Sequence, residues 1–320
     1  MSAGKAFFVF VVPLFLVFAG CNGMFTPGDI ENGVNSGNVD AAGISVYPKM
    51  FVAEPGQSSD ALEAEIVPED ASDRLIIWES DDSTVATVDP AGVVTAVSDG
   101  TAWITATTAD GEYSDHVFVL SGDVVESRGP AGGKIFYHDA DGEHEWDYLE
   151  LAPEESEFVG RPWGGKLHLL AGDTREKGIG DGRAATDHIL FFLQDEDPYY
   201  DGYDEPDWAP DEYAARLADT LVVENMGREF RDWFLPSESE LQQATLLHFQ
   251  GLAGLSETEY WTSSELATDD GDRYAKGVDF APGSGSTYSP GGQIEPMAKD
   301  ELARIRAIRS FSPDIGQSAD

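Results

Sequence analysis

The stretch from Ile44 to Leu120 alternates short apolar segments with turn residues, and this alternation limits the fold more than any other feature of the chain. Valine, isoleucine and threonine are frequent in it, and the segments recur at intervals of about ten residues. Apolar residues at every second position place one face of a strand in a core and the other face in solvent. Several such strands joined by short turns predict an antiparallel β-sandwich.

Part of this stretch, IIWESDDSTVATVDPAGVVTAVSDGTAWITATTADG, resembles the group 2 bacterial immunoglobulin-like domain. The positions that match the family pattern are Trp78, Ser80, Val85, Ala86, Val88, Asp89, Gly92, Val93, Gly100, Ile104 and Ala106. We expect Trp78 in the core, and turns with positive φ at Gly92 and Gly100, because glycine adopts positive φ without strain. The resemblance implies a spacer at a bacterial surface, and some domains of this family bind host ligands.

A second domain is predicted from Gly129 to Phe311, where strand-like and helix-like segments are mixed. The strand-like segments are KIFY, YLELA, EYWTSSE, RYAKGVDFAPG and the closing LARIRAIRSF. Helical patterns occur in RAATDHILFFLQ, in EYAARLADTLV and in the run after LPSESEL. This mixture predicts an α+β domain.

The ordered motifs of this second domain resemble a known family. They are GPAGGKIFY, WDYLELAP, WGG, GIGDG, EYAA, DWFLPSESEL, YWTSSE and RIRAIRSF. In this order they resemble the Fibrobacter succinogenes major paralogous domain, which is related to the C-terminal domain of the Legionella collagen-like adhesin. The resemblance implies a C-type-lectin-like fold whose first and last strands pair. The adhesin relative binds sulfated polysaccharide, a ligand that would meet like charge on this chain.

The N-terminus has the features of an exported lipoprotein. Lys5 precedes the apolar run AFFVFVVPLFLVFAG, which ends at Cys21, the only cysteine of the chain. A charged start, a short apolar core and small residues before the cut are typical of a secretory signal. The segment F-A-G-C resembles the bacterial lipobox, with Phe18 where an aliphatic residue is usual. This resemblance implies that Cys21 is acylated and holds the protein at a lipid bilayer, followed by a flexible tether.

The charge of the chain excludes several classes of partner. Sixty acidic and nineteen basic residues give a formal charge of −41. Nucleic acid is not an expected partner, because its binding relies on Lys and Arg neutralising phosphate. The hydrophobic content of 41% is enough for folded cores. An acidic surface fits a salty milieu, where screening weakens self-repulsion, and this predicts a halophilic source.

The run DWFLPSESEL contains Ser237, which is a candidate for a catalytic serine. A nucleophilic serine needs a base and usually a strained elbow of the form G-x-S-x-G, which the sequence lacks. Glu240 follows Ser237 by three residues, directly before an apolar run, which is the spacing of a helix capping box. Pro236 stands just before the cap, where its missing amide hydrogen costs no helical bond. We therefore expect Ser237 and Glu240 to start a helix.

Other signals for catalysis are weak, and we expect no enzyme. GRPWGGKL has the spacing of a phosphate loop, but Leu167 stands where a Ser or Thr would hold magnesium. GIGDG lacks the register of a dinucleotide-binding turn. The copper chemistry of the formylglycine-generating oxidases, which use a lectin-like scaffold, needs a cysteine pair that is missing here. The histidines, at 116, 138, 144, 168, 188 and 248, do not have the H-E-x-x-H spacing of a zinc protease.

Calcium is the one cofactor that the sequence keeps open, although none is required. Acidic residues concentrate in DADGE and in DEDPYYDGYDEPDWAPDE, and calcium prefers six to eight oxygen ligands on a flexible loop. The candidate ligands are Asp139, Asp141, Asp201, Asp204 and Asp207. A solvated acidic loop is the favoured interpretation of both segments, and neither follows the EF-hand register.

Aromatic and arginine residues of the second domain are expected to be structural. Trp233 and Trp261 lie in apolar motif segments, which predicts core positions. Arg309 and two further arginines alternate along the predicted closing strand and require acidic partners on one face. Glu265 is the candidate partner for one of these arginines.

The whole chain is expected to be an exported, lipid-anchored surface protein that binds an extracellular glycan or protein, at the outer membrane or cell surface. A structural envelope protein without a ligand and a carbohydrate-active enzyme are the alternatives. The predicted segments are a signal peptide at 1–21, a tether at 22–43, the immunoglobulin-like domain at 44–120, a linker at 121–128, the lectin-like domain at 129–311 and a tail at 312–320.

Overall fold

The computed structural model describes residues 38–165, 178–193, 212–266, 273–281 and 292–313. The described residues from Val39 onward belong to one compact unit. Cys21 and the predicted signal peptide lie outside the described residues. No helix within the described ranges is long and apolar enough to span a bilayer.

The first half of the unit that starts at Val39 consists of nine strands. They are β1 (Gly43–Tyr47), β2 (Met50–Ala53), β3 (Ser58–Ala61), β4 (Glu63–Val67), β5 (Ile76–Ser80), β6 (Ala86–Val88), β7 (Val93–Ala96), β8 (Gly100–Thr108) and β9 (Ser114–Ser121). Three sheets form from them, in the orders β2-β9-β8-β5, β3-β7-β6 and β1-β4. All pairs are antiparallel except β2 with β9. The predicted β-sandwich is confirmed.

The core of this sandwich consists of the apolar half of each alternating segment. Ala102, Ile104 and Ala106 of β8 are buried there, as are Val117 and Val119 of β9. They pack with the similarly buried Val46, Ile66, Val85 and Val94. The alternation therefore separates the two faces of β8 and β9 as expected from period-two patterning.

Trp78, Gly92 and Gly100 are the residues of the sandwich for which the sequence predicts a core position or a positive φ. The Trp78 ring is partly buried and packs against the edge of the core. Gly92 has φ of +81°, and a Cβ atom there would lie 3.0 Å from the Trp78 ring. Gly100 also has positive φ, +130°, and lies against Val85. Both glycines therefore have the backbone conformation expected of them.

The described residues of the second half of the chain form ten strands and four α-helices. The strands are β10 (Lys134–His138), β11 (Tyr148–Leu151), β12 (Phe158–Arg161), β13 (Val223–Asn225), β14 (Arg228–Phe230), β15 (Glu259–Glu265), β16 (Tyr274–Asp279), β17 (Gln293–Ala298), β18 (Ala303–Ile305) and β19 (Ile308–Phe311). The helices are α1 (Asp181–Phe192), α2 (Ala214–Asp219), α3 (Glu238–Gln243) and α4 (Thr245–Phe249). We call residues 129–313 the C-terminal domain.

The C-terminal domain contains a five-stranded sheet, β12-β18-β15-β16-β17, a three-stranded sheet, β10-β11-β19, and the hairpin β13–β14. Helices α1 and α3 pack on β15, the middle strand of the larger sheet. Two apolar clusters fill this domain, one around Trp163, Trp233 and Trp261 and one around Phe234 and Phe280. The described chain as a whole is mostly β with few helices.

Two expectations about the closing segment are wrong. The first and last strands of the C-terminal domain do not pair, because β11 lies between β10 and β19 in their sheet. The segment RIRAIRSF is not a single strand either. It forms β18 in the five-stranded sheet and β19 in the three-stranded sheet, with Arg306 and Ala307 between them. The chain changes sheets there, so the three arginines do not share one strand face.

Candidate functional site

The run DWFLPSESEL lies in the interior of the C-terminal domain. Trp233 is fully buried, and Phe234 forms an isolated bridge with Ile308 of β19. Ser237 is the N-cap of α3: its hydroxyl accepts from the Glu240 amide, and the Glu240 carboxylate accepts from the Ser237 amide at 2.7 Å. The carbonyl of Pro236 accepts from the Ser263 amide of β15. The capping box expected from the spacing is therefore present. The hydrogen bond between Pro236 and Ser263 attaches the start of α3 to the central strand.

The hydrogen bonds of the Ser237 hydroxyl do not suit a nucleophile. Its hydroxyl donates to the carbonyl of Gly178 at 2.7 Å and accepts from the Glu240 amide at 3.2 Å. A serine nucleophile needs a general base as the acceptor of its proton. In this structure the acceptor of the Ser237 proton is the backbone carbonyl of Gly178.

Glu240 is a buried carboxylate that a glycine-rich turn binds. Its Oε1 accepts from the amides of Gly180 at 2.9 Å and Gly182 at 3.4 Å, both in the GIGDG turn that starts α1. A Cβ atom on Gly182 would lie 2.1 Å from Glu240 Oε2, so only glycine leaves room for the carboxylate. Burial raises the pKa of Glu240 to about 7, and the amide donors oppose that rise. The turn thus binds a carboxyl group of the chain itself.

Glu150 is held in the same manner by the second glycine-rich turn, GPAGG. The amides of Ala131 and Gly133 donate to Glu150 at 3.0 and 2.9 Å. Arg309 lies directly opposite Glu150 in the β11–β19 pairing and donates to it at 3.2 Å. Burial raises the pKa of Glu150 to about 7, against the lowering effects of Arg309 and the two amides.

Arg309 joins Glu150 to the start of DWFLPSESEL. Its Nε and Nη2 donate to the two carboxylate oxygens of Asp232, at 2.9 and 2.8 Å. Such a two-point contact suits the planar guanidinium. The same guanidinium lies 4.9 Å from the ring centre of Phe230. One cation therefore links β19, β11 and the segment after β14.

Glu157 is the acidic partner of the other two arginines. Arg304 forms an ion pair with it, and Arg306 Nη2 donates to it at 2.7 Å. The hydroxyl of Tyr260 also donates to Glu157, at 2.7 Å. The pKa of Tyr260 is raised to about 12. Burial is the larger cause, and the hydrogen bond to Glu157 is the second. Arg306 also donates to the carbonyl of Gly254 at 2.8 Å, which anchors a further loop.

Glu265 does not pair with any of the three arginines, so that prediction is wrong. It forms an ion pair with Lys299, and the side chains of both residues are fully buried. The Lys299 ammonium also lies 4.5 Å from the ring centre of Trp163. Lys299 directly follows β17, two strands away from β15 in the sheet, a proximity that no local sequence pattern encodes.

A further buried pair lies on α3 and β16. Glu238 and Lys276 approach to 2.6 Å, with side chains 9% and 11% exposed. The amide of Glu238 also donates to the hydroxyl of Ser264. We refer to Glu150, Glu157, Glu238, Glu240 and Glu265 together as the buried carboxylates. Each of them is bound by cations, backbone amides or both.

The calcium candidates do not come together as a site in the described residues. Asp139 is buried, and its carboxylate accepts from the amide of His144 at 2.8 Å, which closes the turn between β10 and β11. Asp141 is exposed at that turn. Asp201, Asp204 and Asp207 lie outside the described residues. In the part of the chain that the structure describes, no group of three or more His, Cys, Asp or Glu residues is arranged to hold a metal ion.

Sequence reasoning missed Glu150, Glu157 and Lys299, because no local pattern distinguishes any of the three. The GPAGG and GIGDG turns each bind a glutamate from elsewhere in the chain, Glu150 and Glu240. A glycine-rich turn that exposes successive amides can bind any carboxylate, including an internal one. Trp261 and Trp233, by contrast, are fully buried at their expected core positions.

Comparison with known proteins identifies one part of the chain. Residues 40–118 match the family model described as bacterial Ig-like domain (group 2). The chain is 36% identical over 109 residues to 3-O-alpha-D-galactosyl-alpha-L-arabinofuranosidase of Bifidobacterium longum subsp. longum, which covers 34% of this chain and 9% of that protein. It is 44% identical over 71 residues to lacto-N-biosidase of Bifidobacterium bifidum, which covers 22% and 6%. The chain thus spans less than a tenth of either relative.

Solved structures resemble the chain only distantly. Domains 4 and 5 of the S-layer protein SbsC align with a TM-score of 0.23 at 19% identity, over 26% of this chain and 53% of that chain. Residues 40–118 are accordingly called the Ig-like domain below, on the basis of the family model.

Proposed function

We propose that this chain is an exported, lipid-anchored protein of the bacterial cell envelope whose C-terminal domain binds a ligand outside the cell. The observation that carries the proposal is the group 2 bacterial Ig-like domain at residues 40–118, placed ahead of a second folded domain. The signal-like N-terminus and the F-A-G-C segment support export and anchoring. In this proposal the Ig-like domain supports the C-terminal domain and holds it away from the bilayer.

The anchor is tested by metabolic labelling. Radiolabelled palmitate is expected to enter the full chain in a bacterial host and to be absent from a Cys21→Ser variant. Equal labelling of both proteins, or labelling of neither, contradicts lipidation at Cys21.

We propose a binding role for the C-terminal domain in preference to catalysis. What supports this is the state of the buried carboxylates, which are occupied by cations or by the amides of glycine-rich turns. A general acid or base has to reach the substrate, directly or through one water. Glu150 and Glu240, whose pKa values are raised to about 7, are fully buried. The C-type-lectin-like assignment of the domain remains part of this proposal.

The expected ligand is neutral or cationic. Lys276, Lys299, Arg306 and Arg309 are buried among carboxylates, so four of the few basic residues are unavailable at the surface. The glutamates buried beside them offset these four cations, so the exposed surface carries nearly the whole formal charge of −41. Anionic polysaccharides would be repelled by such a surface. A neutral glycan, or a basic region of a protein, is the class of ligand that fits.

A glycan array with the full mature chain tests this role. Binding to neutral glycans, with sulfated glycans unbound at low and at high salt, is the expected result. Release of sugar from a labelled neutral polysaccharide would contradict the non-enzymatic role. Absence of binding to the glycan array and to intact cells would favour the structural envelope protein instead.

A further inference from the structure

The outer face of the strand pair β8 and β9 is apolar, although it does not belong to the sandwich core. Ala102 and Ile104 point into the sandwich, while Trp103 between them points to the opposite side of the sheet. Trp103, Phe118 and Leu120 are nevertheless 4%, 1% and 1% exposed. Residues on the outer face of an isolated sandwich are expected to be solvated and polar. Something other than the sandwich covers this face.

The cover is the C-terminal domain of the same chain. Trp103, Phe118 and Leu120 form one apolar cluster with residues from the β10-β11-β19 sheet and from the segment that precedes it. The other buried members of this cluster are Val124, Ile135, Tyr148 and Phe311. Tyr148 and Phe311 stack on each other with ring centres 5.3 Å apart. The Ig-like domain and the C-terminal domain therefore share a core.

The hairpin β13–β14 adds a polar contact to this core. Met226 and Gly227 form its two-residue turn, both with positive φ, as favoured hairpin turns require. Arg228 follows the turn, and its Nη2 donates to the carbonyl of His116 on β9 at 2.6 Å. Its guanidinium lies 5.5 Å from the ring centre of Trp103 and 4.0 Å from Asp115. One side chain of the C-terminal domain thus makes three contacts with the Ig-like domain.

The segment between the two domains is also structured. The amide of Glu126 donates to the carbonyl of Ile135 at 2.8 Å, and the amide of Ile135 donates to Ser127 at 3.0 Å. Thr101 of β8 donates to the carbonyl of Arg128 at 2.7 Å. Val124 in the same segment is 2% exposed. These bonds hold the predicted linker against β10 and β8.

We infer that the outer face of β8 and β9 is a docking surface for the C-terminal domain, and that Arg228 locks the two domains into one unit. The inference does not depend on which ligand the C-terminal domain binds. It has two consequences. The Ig-like domain presents the C-terminal domain in one fixed orientation, and the apolar outer face of β8 and β9 is closed to external ligands.

Limited trypsin digestion of the full chain tests the lock, with cleavage after Arg128 as the readout. Arg228→Ala is expected to speed this cleavage about tenfold or more, because a hydrogen bond from a charged donor shifts an opening equilibrium by about that factor. Arg231→Ala is the matched control, because Arg231 lies near the same hairpin and is 62% exposed. It also removes one tryptic site, as Arg228→Ala does.

Arg228→Lys serves as a second variant in case the alanine variant does not fold. It retains the charge but lacks the planar group that spans His116 and Trp103, so an intermediate rate is expected. The inference is overturned if the Arg228 variants are cleaved at the rate of Arg231→Ala. Rapid cleavage of the unmodified chain after Arg128 would overturn it as well.

Discussion

The two folded domains of this chain differ most in what fills their interiors. The core of the Ig-like domain consists of apolar side chains such as Val46 and Val119, and none of its described charged residues is buried, although Thr108 is. The C-terminal domain instead encloses the buried carboxylates and their cations. A buried ion pair stabilises a fold little compared with apolar packing, but breaking it is costly, because an uncompensated charge remains inside. The C-terminal domain should therefore be the more sensitive of the two to loss of a single charge.

The largest effect is expected from Arg309→Met. The substitution preserves much of the apolar volume but leaves Glu150 with amide donors only and Asp232 without its cation. Loss of one partner from a buried pair costs about 3–5 kcal/mol in the free energy of unfolding. Chemical denaturation measures the change.

Arg231→Met is the control for that variant. Arg231 contacts the exposed Glu229 at 2.8 Å, and surface pairs of this kind contribute about 0–1 kcal/mol. Equal stability of the Arg309 and Arg231 variants would mean that Glu150 needs no cation.

A smaller effect, in the Ig-like domain, is expected from Gly92→Ala. Gly92 and Gly111 have nearly equal positive φ, +81° and +78°, so alanine is strained to the same degree at both. Only at Gly92 would the new methyl group meet a neighbour, the Trp78 ring at 3.0 Å. We expect Gly111→Ala to cost about 1 kcal/mol and Gly92→Ala to cost more. Thermal unfolding of both variants compares them, and equal losses would exclude a packing role for Trp78.

The smallest effect concerns His116, where the two domains meet. Burial lowers the pKa of His116 from its ordinary 6.5, with Arg228 and Lys49 also lowering it and Asp115 opposing them. Stability that depends on neutral His116 is thus present above pH 6.5 and is lost as the pH falls. Between pH 7.5 and pH 5.5, His116→Gln is expected to lose less stability than the unmodified chain. An identical loss in both proteins would contradict this.

Local patterns predicted the Ig-like domain better than the interior of the C-terminal domain, and the reason lies in how each is buried. Strands with one buried face leave an alternating pattern, as in β8. All four residues of β11 are buried, so Glu150 occupies a position where alternation indicates a solvated side chain. In a chain with sixty acidic residues such a glutamate has no distinguishing feature.

Side-chain pairs between different strands of a sheet could not be predicted from the sequence either. The capping box at Ser237 is local, and its spacing alone indicated it. The pairing of Glu265 with Lys299 depends on the order of strands in the sheet, and the split of the closing segment into β18 and β19 depends on a change of sheet. These features involve residues far apart in the chain, which no short pattern records.

The central claim is that the buried carboxylates are structural and hold the C-terminal domain together. Its most direct test is the stability of Glu240→Gln and of the unmodified chain measured from pH 4.5 to pH 8. Because the pKa of Glu240 is raised from 4.5 to about 7, the stability it contributes is fully present below pH 4.5 and is lost as the pH rises through about 7. The account predicts that the deficit of Glu240→Gln shrinks over this range, by about 3 kcal/mol. A deficit that stays constant or grows with pH would contradict the account.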